Sequence, residues 1–498
     1  MSTQSNFPHP ELATASAVEL GERLTSGELT ALRLTEMYLE RIAAIDQAGP
    51  TLRAVIEVNP EALAIAAAMD RELQAGHRRG PIHGLPVLIK DNIDSGDRMM
   101  TTAGSLALAG PPAQRDAPLV ANLRQAGAVL LGKTNLSEWA NFRSTRSCSG
   151  WSGRGRQTRN PHVLDRTPSG SSSGSGAATA AGLAVFSVGT ETDGSIVSPA
   201  NANGVVGVKP AVGVISQTGI VPVAASQDSA GPHARSVHDA ALLLEVLSGR
   251  PGAFTPGLQP DALRGCRLGV LRGPYTGYSE HTDRVYEQAL VALRDAGAEL
   301  TDPADLVTAA ELRSSGAELK ILLHEFKAGL NSYLTTRPGL EIRTLADVIA
   351  FNLRNEEAEM PYFRQELLEK AEATEGLEAL EYLEAITLAH DLARGKGIDA
   401  LLAEHQLDAL IAPSGPPAHV VDPLNGDRHL GGSSQPSAVA GYPIVTVPAG
   451  TVLGALPVNI NFFSRPGSEA SLLAMAFAFE QATRALRTPT FLRSLDLP

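Results

Sequence analysis

A serine attacks an amide only when a base takes its proton and N–H groups receive the charge that develops on the carbonyl oxygen. One stretch of this chain carries material for that chemistry. From Ser169 to Val206 it reads SGSSSGSGAATAAGLAVFSVGTETDGSIVSPANANGVV, two serine-bearing loops of small residues around one short apolar segment. The second loop, Gly189-Thr-Glu-Thr-Asp-Gly-Ser195, ends in a hydroxyl preceded by several backbone N–H groups. It is the minimal equipment for a serine nucleophile at Ser195 beside an oxyanion hole. The base must come from elsewhere. Lys90 ends the apolar run Leu85-Pro-Val-Leu-Ile89, where burial would disfavour the ammonium form and leave a lone pair near neutral pH. Alone, Lys90 reads more readily as a lysine snorkelling from a strand end. Beside two serine loops it becomes the candidate base.

Other patterns are formally present and fail on context. Gly127-Ala-Val-Leu-Leu-Gly132-Lys133-Thr134 fits the phosphate-loop expression, but its middle residues form an apolar strand where a phosphate cradle needs an open loop. Gly170-Ser-Ser172-Ser-Gly174 fits the nucleophile elbow, but Arg166-Thr-Pro-Ser169 is not the strand that must precede one. No Ser-x-x-Lys occurs. His233 and His238 lie five apart, poor spacing for one helical face, and no carboxylate or thiol cluster completes a metal site. Asn135-Leu-Ser137 is a glycosylation sequon without a secretory context.

The elements that would hold these groups follow from periodicity. The first eighty residues read as helices: Ser16 caps one, Leu34, Met37, Tyr38 and Ile42 share a face of the next, and Asn59-Pro60 opens another that Gly76 ends. Strands are expected over 85–89, 128–131 and 183–188, with helices over 117–127 and 177–181. Such alternation predicts an α/β fold with a large mixed, mainly parallel sheet covered by helices on both faces. Residues 285–405 read as mainly helical, 407–412 and 442–447 as late strands, 469–486 as a final helix, and 413–441 as a long loop over one edge of the site. No linker, repeat or low-complexity block divides the 498 residues, so one domain is expected. It would comprise a helical part (1–80), a core (81–245), and a helical insert with a C-terminal part completing the sheet (246–498).

Bulk properties narrow the partners. A net charge of −13 argues against nucleic acid. No apolar run reaches the ~18–20 residues that span a bilayer. The N-terminus has neither basic nor apolar signal regions, and two cysteines suit free thiols in a reducing compartment, so a cytoplasmic protein is expected.

The serine loops, together with Gly84-Leu-Pro-Val-Leu-Ile-Lys90-Asp91-Asn92, resemble the amidase signature family, whose three elements occur here in the family's order. The resemblance covers nearly the whole chain. It is closest to the family's peptide amidases, through Thr-Glu-Thr-Asp-Gly-Ser-Ile-Val197, Ser149-Gly-Trp-Ser152 and Ser226-Gln-Asp228. It implies Ser195 as nucleophile, Ser171 as proton relay after a cis Gly170–Ser171 bond, Lys90 as base, and an oxyanion hole from the N–H groups of Thr192, Asp193, Gly194 and Ser195. Glu191 takes the place of the family's usual aspartate. Asp228, beside Gln227, matches a position that lines the pocket in related amidases, though a turn-forming role fits the sequence equally. The loop carrying Ser147, Ser149 and Trp151 offers hydrogen bonds and an aromatic wall to a substrate, or is a plain surface loop. The segments 419–434 and 457–463 depart from the family pattern and are further candidates for the pocket border. The resemblance implies hydrolysis of primary carboxamides, above all peptide C-terminal amides, with no metal or organic cofactor. A broader amidase or esterase, and the glutaminase component of a tRNA-dependent amidotransferase, are the alternatives. Monomer and homodimer both stay open.

Overall fold

The computed structural model describes residues 4–496. Its centre is one sheet of eleven strands: β1 (Val55–Val58), β2 (Pro86–Lys90), β3 (Val129–Thr134), β4 (Phe186–Glu191), β5 (Val206–Lys209), β6 (Ser229–Ala234), β7 (Arg267–Val270), β8 (Glu299–Thr301), β9 (Ala409–Pro413), β10 (Ile444–Val452) and β11 (Leu456–Phe463). Their spatial order is β1-β3-β2-β4-β6-β5-β10-β11-β9-β7-β8. Helices pack around it, as an α/β chain requires.

The sheet is mixed, as expected, but antiparallel pairs outnumber parallel ones. β2 runs parallel to both its neighbours and so does β7, giving four parallel pairs. The other six are antiparallel. The alternation of strands and helices predicted the β3-β2-β4 block, which helix crossovers make parallel. Strands β1, β5, β6, β7, β8 and β11 were not expected. β6 reads Ser-Ala-Gly-Pro-His-Ala and lacks an apolar run. A Cβ on its Gly231 would stand 1.9 Å from the Val208 carbonyl of β5, so only glycine permits that approach. β11 carries two buried asparagines, and β1 lies within the N-terminal part expected to be helical.

The N-terminal helices otherwise match their sequence signals. Ser16 Oγ accepts from Glu19 N, and Asn59 Oδ1 accepts from Glu61 N ahead of helix Ala62–Gln74. Leu34, Met37, Tyr38 and Ile42 are all buried in the main core, which runs under β2–β4 to helices Val237–Ser248 and Glu469–Thr483. A second apolar cluster joins β9 to the helices between 309 and 402. A third seats helix Ala317–Thr335 on Trp139 and Phe142. No helix among the described residues is long and apolar enough to cross a membrane.

Three lysines sit fully buried on strands of this sheet: Lys90 on β2, Lys133 on β3 and Lys209 on β5. Lys133, from the phosphate-loop pattern, donates to the Ile93 carbonyl at 2.5 Å and to Thr101 Oγ1 at 3.0 Å. Lys209 donates to the Tyr442 carbonyl at 2.8 Å. Both are tied to backbone. Of the three, Lys90 alone faces a group of hydroxyls.

Candidate active site

β2 and β4 are parallel neighbours with Ile89 opposite Val188, and this register sets Lys90 against the end of β4. The first serine loop leads into helix Ser173–Ala180, whose small residues let it pack closely on β4. Gly174 fits against the carbonyls of Ala54 and Asn135, where a Cβ would collide. The loop thereby presents Ser171 and Ser172 to the strand ends. The Gly170–Ser171 bond is cis.

Lys90 Nζ donates to Ser171 Oγ (2.8 Å), Ser172 Oγ (3.0 Å), Thr190 Oγ1 (2.8 Å) and the Thr190 carbonyl (3.2 Å). No carboxylate touches it among the described residues. Burial drives its pKa down from 10.5 to about 7, against weaker pulls from Asp228 and Glu191. The proton positions are informative. Ser172 gives its own hydrogen to the Thr190 carbonyl (2.9 Å) and accepts from Thr190 N (3.1 Å). Thr190 Oγ1 also accepts from Asn92 Nδ2 at 3.0 Å. Ser171 Oγ has no partner but Nζ among the described residues. When the lysine is a neutral amine, the Ser171 hydrogen is free to meet its lone pair.

Ser195 lies on the second loop, where Gly194 takes the left-handed backbone (φ +77°). Its carbonyl accepts from Ser172 N at 3.2 Å, which ties the two loops together. Ser195 Oγ has no hydrogen-bond partner among the described residues and borders a cavity of about 400 Å³. Glu191 Oε2 accepts from the N–H groups of Ile196 (2.6 Å) and Val197 (2.9 Å), so it braces the turn from behind. The N–H groups of Thr192, Asp193, Gly194 and Ser195 donate to nothing among the described residues. They belong to the same loop as the Ser195 hydroxyl. Asp193 borders the large cavity, and burial together with nearby Glu318 pushes its carboxyl well above the usual range.

Ser147 and Ser149 also line the large cavity. Another wall is the segment 414–431, including His419, Arg428 and His429; the loop expected over 413–441 borders the site but ends in a helix at Gln435–Ala440. Asp427 fastens that wall by accepting from Ser149 N with both oxygens (3.0 and 3.1 Å). Residues 457–463 stand behind it as part of β11: Asn461 bonds Ser414 and Ser433 there. Trp151 is placed elsewhere. It packs on Tyr362, Phe363 and Arg143 and borders neither cavity of the site, because the turn at Gly150 directs it into an apolar cluster.

Asp228 lines a second, small cavity of about 20 Å³ together with Ser171, Thr192 and Asn92. Its Oδ1 accepts from Thr192 Oγ1 (2.6 Å), and its Oδ2 accepts from Val223 N (2.8 Å) and Ala224 N (3.1 Å). Burial raises its pKa to about 6. Gln227 borders neither cavity. It donates to Glu318 Oε1 (3.0 Å) and supports the Thr192 carbonyl (3.4 Å). His233 is buried, bonds the Ile196 carbonyl at 3.0 Å, and burial lowers its pKa to about 4. His238 lies on the surface beside Asp239. Sequence reasoning missed Ser172, Thr190 and Asn92. Ser172 stood within the serine loop, but the register that makes all three partners of Lys90 is not a sequence property.

The model of the amidase family matches residues 33–473. A native peptide amidase from Stenotrophomonas maltophilia superimposes with a TM-score of 0.91 at 50% identity, covering 96% of this chain and 99% of that one. A probable amidase of Arabidopsis thaliana is 41% identical over 93% of this chain and 89% of its own length. A glutamyl-tRNA(Gln) amidotransferase component of Symbiobacterium thermophilum is 34% identical over 94% of this chain and 97% of its own. A buried lysine among hydroxyls, in a chain whose likeness to amidases runs along nearly the full length, leads to one conclusion: the chain belongs to the amidase family and is an amide-hydrolysing enzyme.

Proposed function

We propose that the enzyme hydrolyses C-terminal carboxamides of peptides through an acyl-enzyme on Ser195, with Ser171 as relay and Lys90 as base. The observation that carries the reading is the fully buried Lys90, bonded to a serine that has no other partner among the described residues, where burial lowers its pKa to about 7. Ser195 gives its proton to Ser171, Ser171 passes its own to Nζ, and Ser195 Oγ bonds the carbonyl carbon. The oxyanion rests on the N–H groups of residues 192–195. Each such donor is typically worth ~10²–10³ in rate. The C–N bond then breaks, its electron pair goes to nitrogen, and Ser171 returns a proton refilled from Lys90. Ammonia leaves. Water repeats the sequence and frees the acid.

The likeness to a peptide amidase and the roomy, polar cavity at Ser195 support a peptide as the acyl part. The enzyme would act as monomer or homodimer in the cytoplasm, without nucleic acid. Likeness to an amidotransferase component keeps glutamine as the second substrate to test. The experiment is ammonia release from short peptide amides beside glutamine, acetamide, benzamide and a peptide ester, with Ser195→Ala as control. Release confined to peptide amides and lost in the variant is expected. Release from simple amides alone would overturn the substrate, and activity without Ser195 would overturn the nucleophile.

A further inference from the structure

Glu318 stands in the first turn of helix Ala317–Thr335 and borders neither cavity of the site. Its two carboxylate oxygens are divided between two amides. Oε1 accepts from Gln227 Nε2 at 3.0 Å, and Oε2 accepts from Gln435 Nε2 at 2.7 Å. No lysine or arginine pairs with it among the described residues, and burial works against its charge while the two amides favour it. It also repels the Asp193 carboxyl. A carboxylate without a cation, placed near a second acid, costs stability. Groups held against stability are expected where function needs them.

Both amides lead to the turn before Ser195. Gln227 Nε2 also reaches the Thr192 carbonyl at 3.4 Å. In a trans peptide the C=O and the following N–H point in opposite directions. The Thr192–Asp193 bond is trans, so a donor on the Thr192 carbonyl sets the direction of the Asp193 N–H. Gln227 is 1% exposed, and its backbone N–H donates to the Ala224 carbonyl at 3.0 Å, so its amide is a fixed arm. Gln435 opens the helix Gln435–Ala440, directly after Ser434. The Ser434 hydroxyl would stand 3.1 Å from a Cβ on Gly194 and lies near the Asp193 carboxyl. One carboxylate thus braces the turn from two sides.

We propose that Glu318 is a positioning residue for the oxyanion: through Gln227 and Gln435 it holds the Thr192–Asp193 peptide and Gly194 so that their N–H groups meet the carbonyl oxygen of the substrate. This rests on the reading of residues 192–195 as the oxyanion hole given above. Glu318 itself touches neither substrate nor Ser195. Its effect falls chiefly on the transition state, because the carbonyl oxygen of the bound substrate carries little charge for an N–H to stabilise.

The test is Glu318→Ala in steady-state kinetics on a short peptide amide, with Ser195→Ala as control. A donor turned aside rather than removed should lower kcat about 10–100-fold while KM stays within about threefold. A peptidyl trifluoromethyl ketone gives the readout that a merely structural residue would not move. Its carbonyl carbon takes the Ser195 oxygen and leaves an ionised oxygen where the oxyanion forms, so its Ki should rise by the factor by which kcat/KM falls. Gln227→Ala should give the same pair of changes, and it carries the test if Glu318→Ala does not fold. Adding Glu318→Ala to Gln227→Ala should cost less than about a further threefold, since both act through one contact. A kcat within twofold of the unmodified enzyme in both single variants overturns the proposal. So does a loss of kcat with the ketone's Ki unchanged, or losses that multiply in full in the double variant. Ammonia release that survives Ser195→Ala would instead refute the catalytic reading beneath it.

Discussion

Replacing Lys90 with methionine separates the base from the burial that creates it. An ordinary lysine with a pKa of 10.5 is neutral in only about one molecule in 3,000 at pH 7, whereas a value of about 7 makes half the population competent. The difference corresponds to about 5 kcal/mol spent on burying the group. Two consequences follow with definite signs. The rate needs the neutral amine, so kcat/KM should fall about tenfold per pH unit below pH 7 and level off above it. Stability responds because the unfolded chain keeps the lysine proton up to 10.5 while the folded chain gives it up near 7. Between those values the unfolded state binds more protons, so stability rises with pH by up to about 1.4 kcal/mol per unit. Lys90→Met removes this dependence. It should cost ~10²–10⁴ in kcat/KM, and its stability relative to the unmodified enzyme should decline steadily from pH 7 to 10. The hydroxyls that lose a partner add only a pH-independent offset. Urea unfolding of both proteins at pH 7, 8, 9 and 10, beside a pH–rate profile, decides the matter. A rate flat from pH 5 to 8, or a stability difference constant over the range, would refute a buried neutral lysine.

Ser172→Ala removes a partner of Nζ and leaves both backbone groups of Thr190 without the hydroxyl, so kcat should fall about 10–100-fold with KM nearly unchanged, read by steady-state kinetics. Gly194→Ala puts a Cβ on a residue at φ +77° and 3.0–3.1 Å from the hydroxyls of Ser198 and Ser434; the displaced N–H row should cost ~10²–10³ in kcat at unchanged thermal stability within a few degrees. Arg143→Met leaves Glu138, its fully buried partner at 2.9 Å, without a cation and should destabilise the fold by about 3–5 kcal/mol in urea. Burial holds the Glu138 carboxyl well above its usual range, so that loss should shrink as pH falls and the group is protonated.

Lys90, Ser171 and Ser195 are legible in the sequence because loops of small residues and serine at a fixed order are rare outside such chemistry. The strands that hold them extend beyond their apolar pattern. Apolar periodicity ends at Ile89, Leu131 and Val188, yet β2, β3 and β4 continue to Lys90, Thr134 and Glu191. Those extensions are buried polar residues satisfied by tertiary partners, which hydropathy cannot foresee. The same blindness hides β6 and β11. Trp151 illustrates the reverse error: an aromatic beside polar loop residues suggests a substrate wall and proves to be core. Asn92 sits within a recognisable motif, but its bond to Thr190 Oγ1, shared with Lys90, is a property of three dimensions alone.

The fastening of Asp427 to Ser149 N has a consequence for how this enzyme can change. The groups proposed to make and break bonds come from residues 90 to 195, whereas one face of the space beside Ser195 is lent by a chain segment more than two hundred positions later. That segment makes no hydrogen bond to Lys90, Ser171 or Ser195. Its side chains are therefore freer to vary than its anchors, which are the Asp427 carboxylate and the backbone bonds of residues 416, 419, 421 and 427. Selectivity for the acyl partner and competence to cleave are inherited through different stretches of the gene, and new appetites can be grafted onto an old engine.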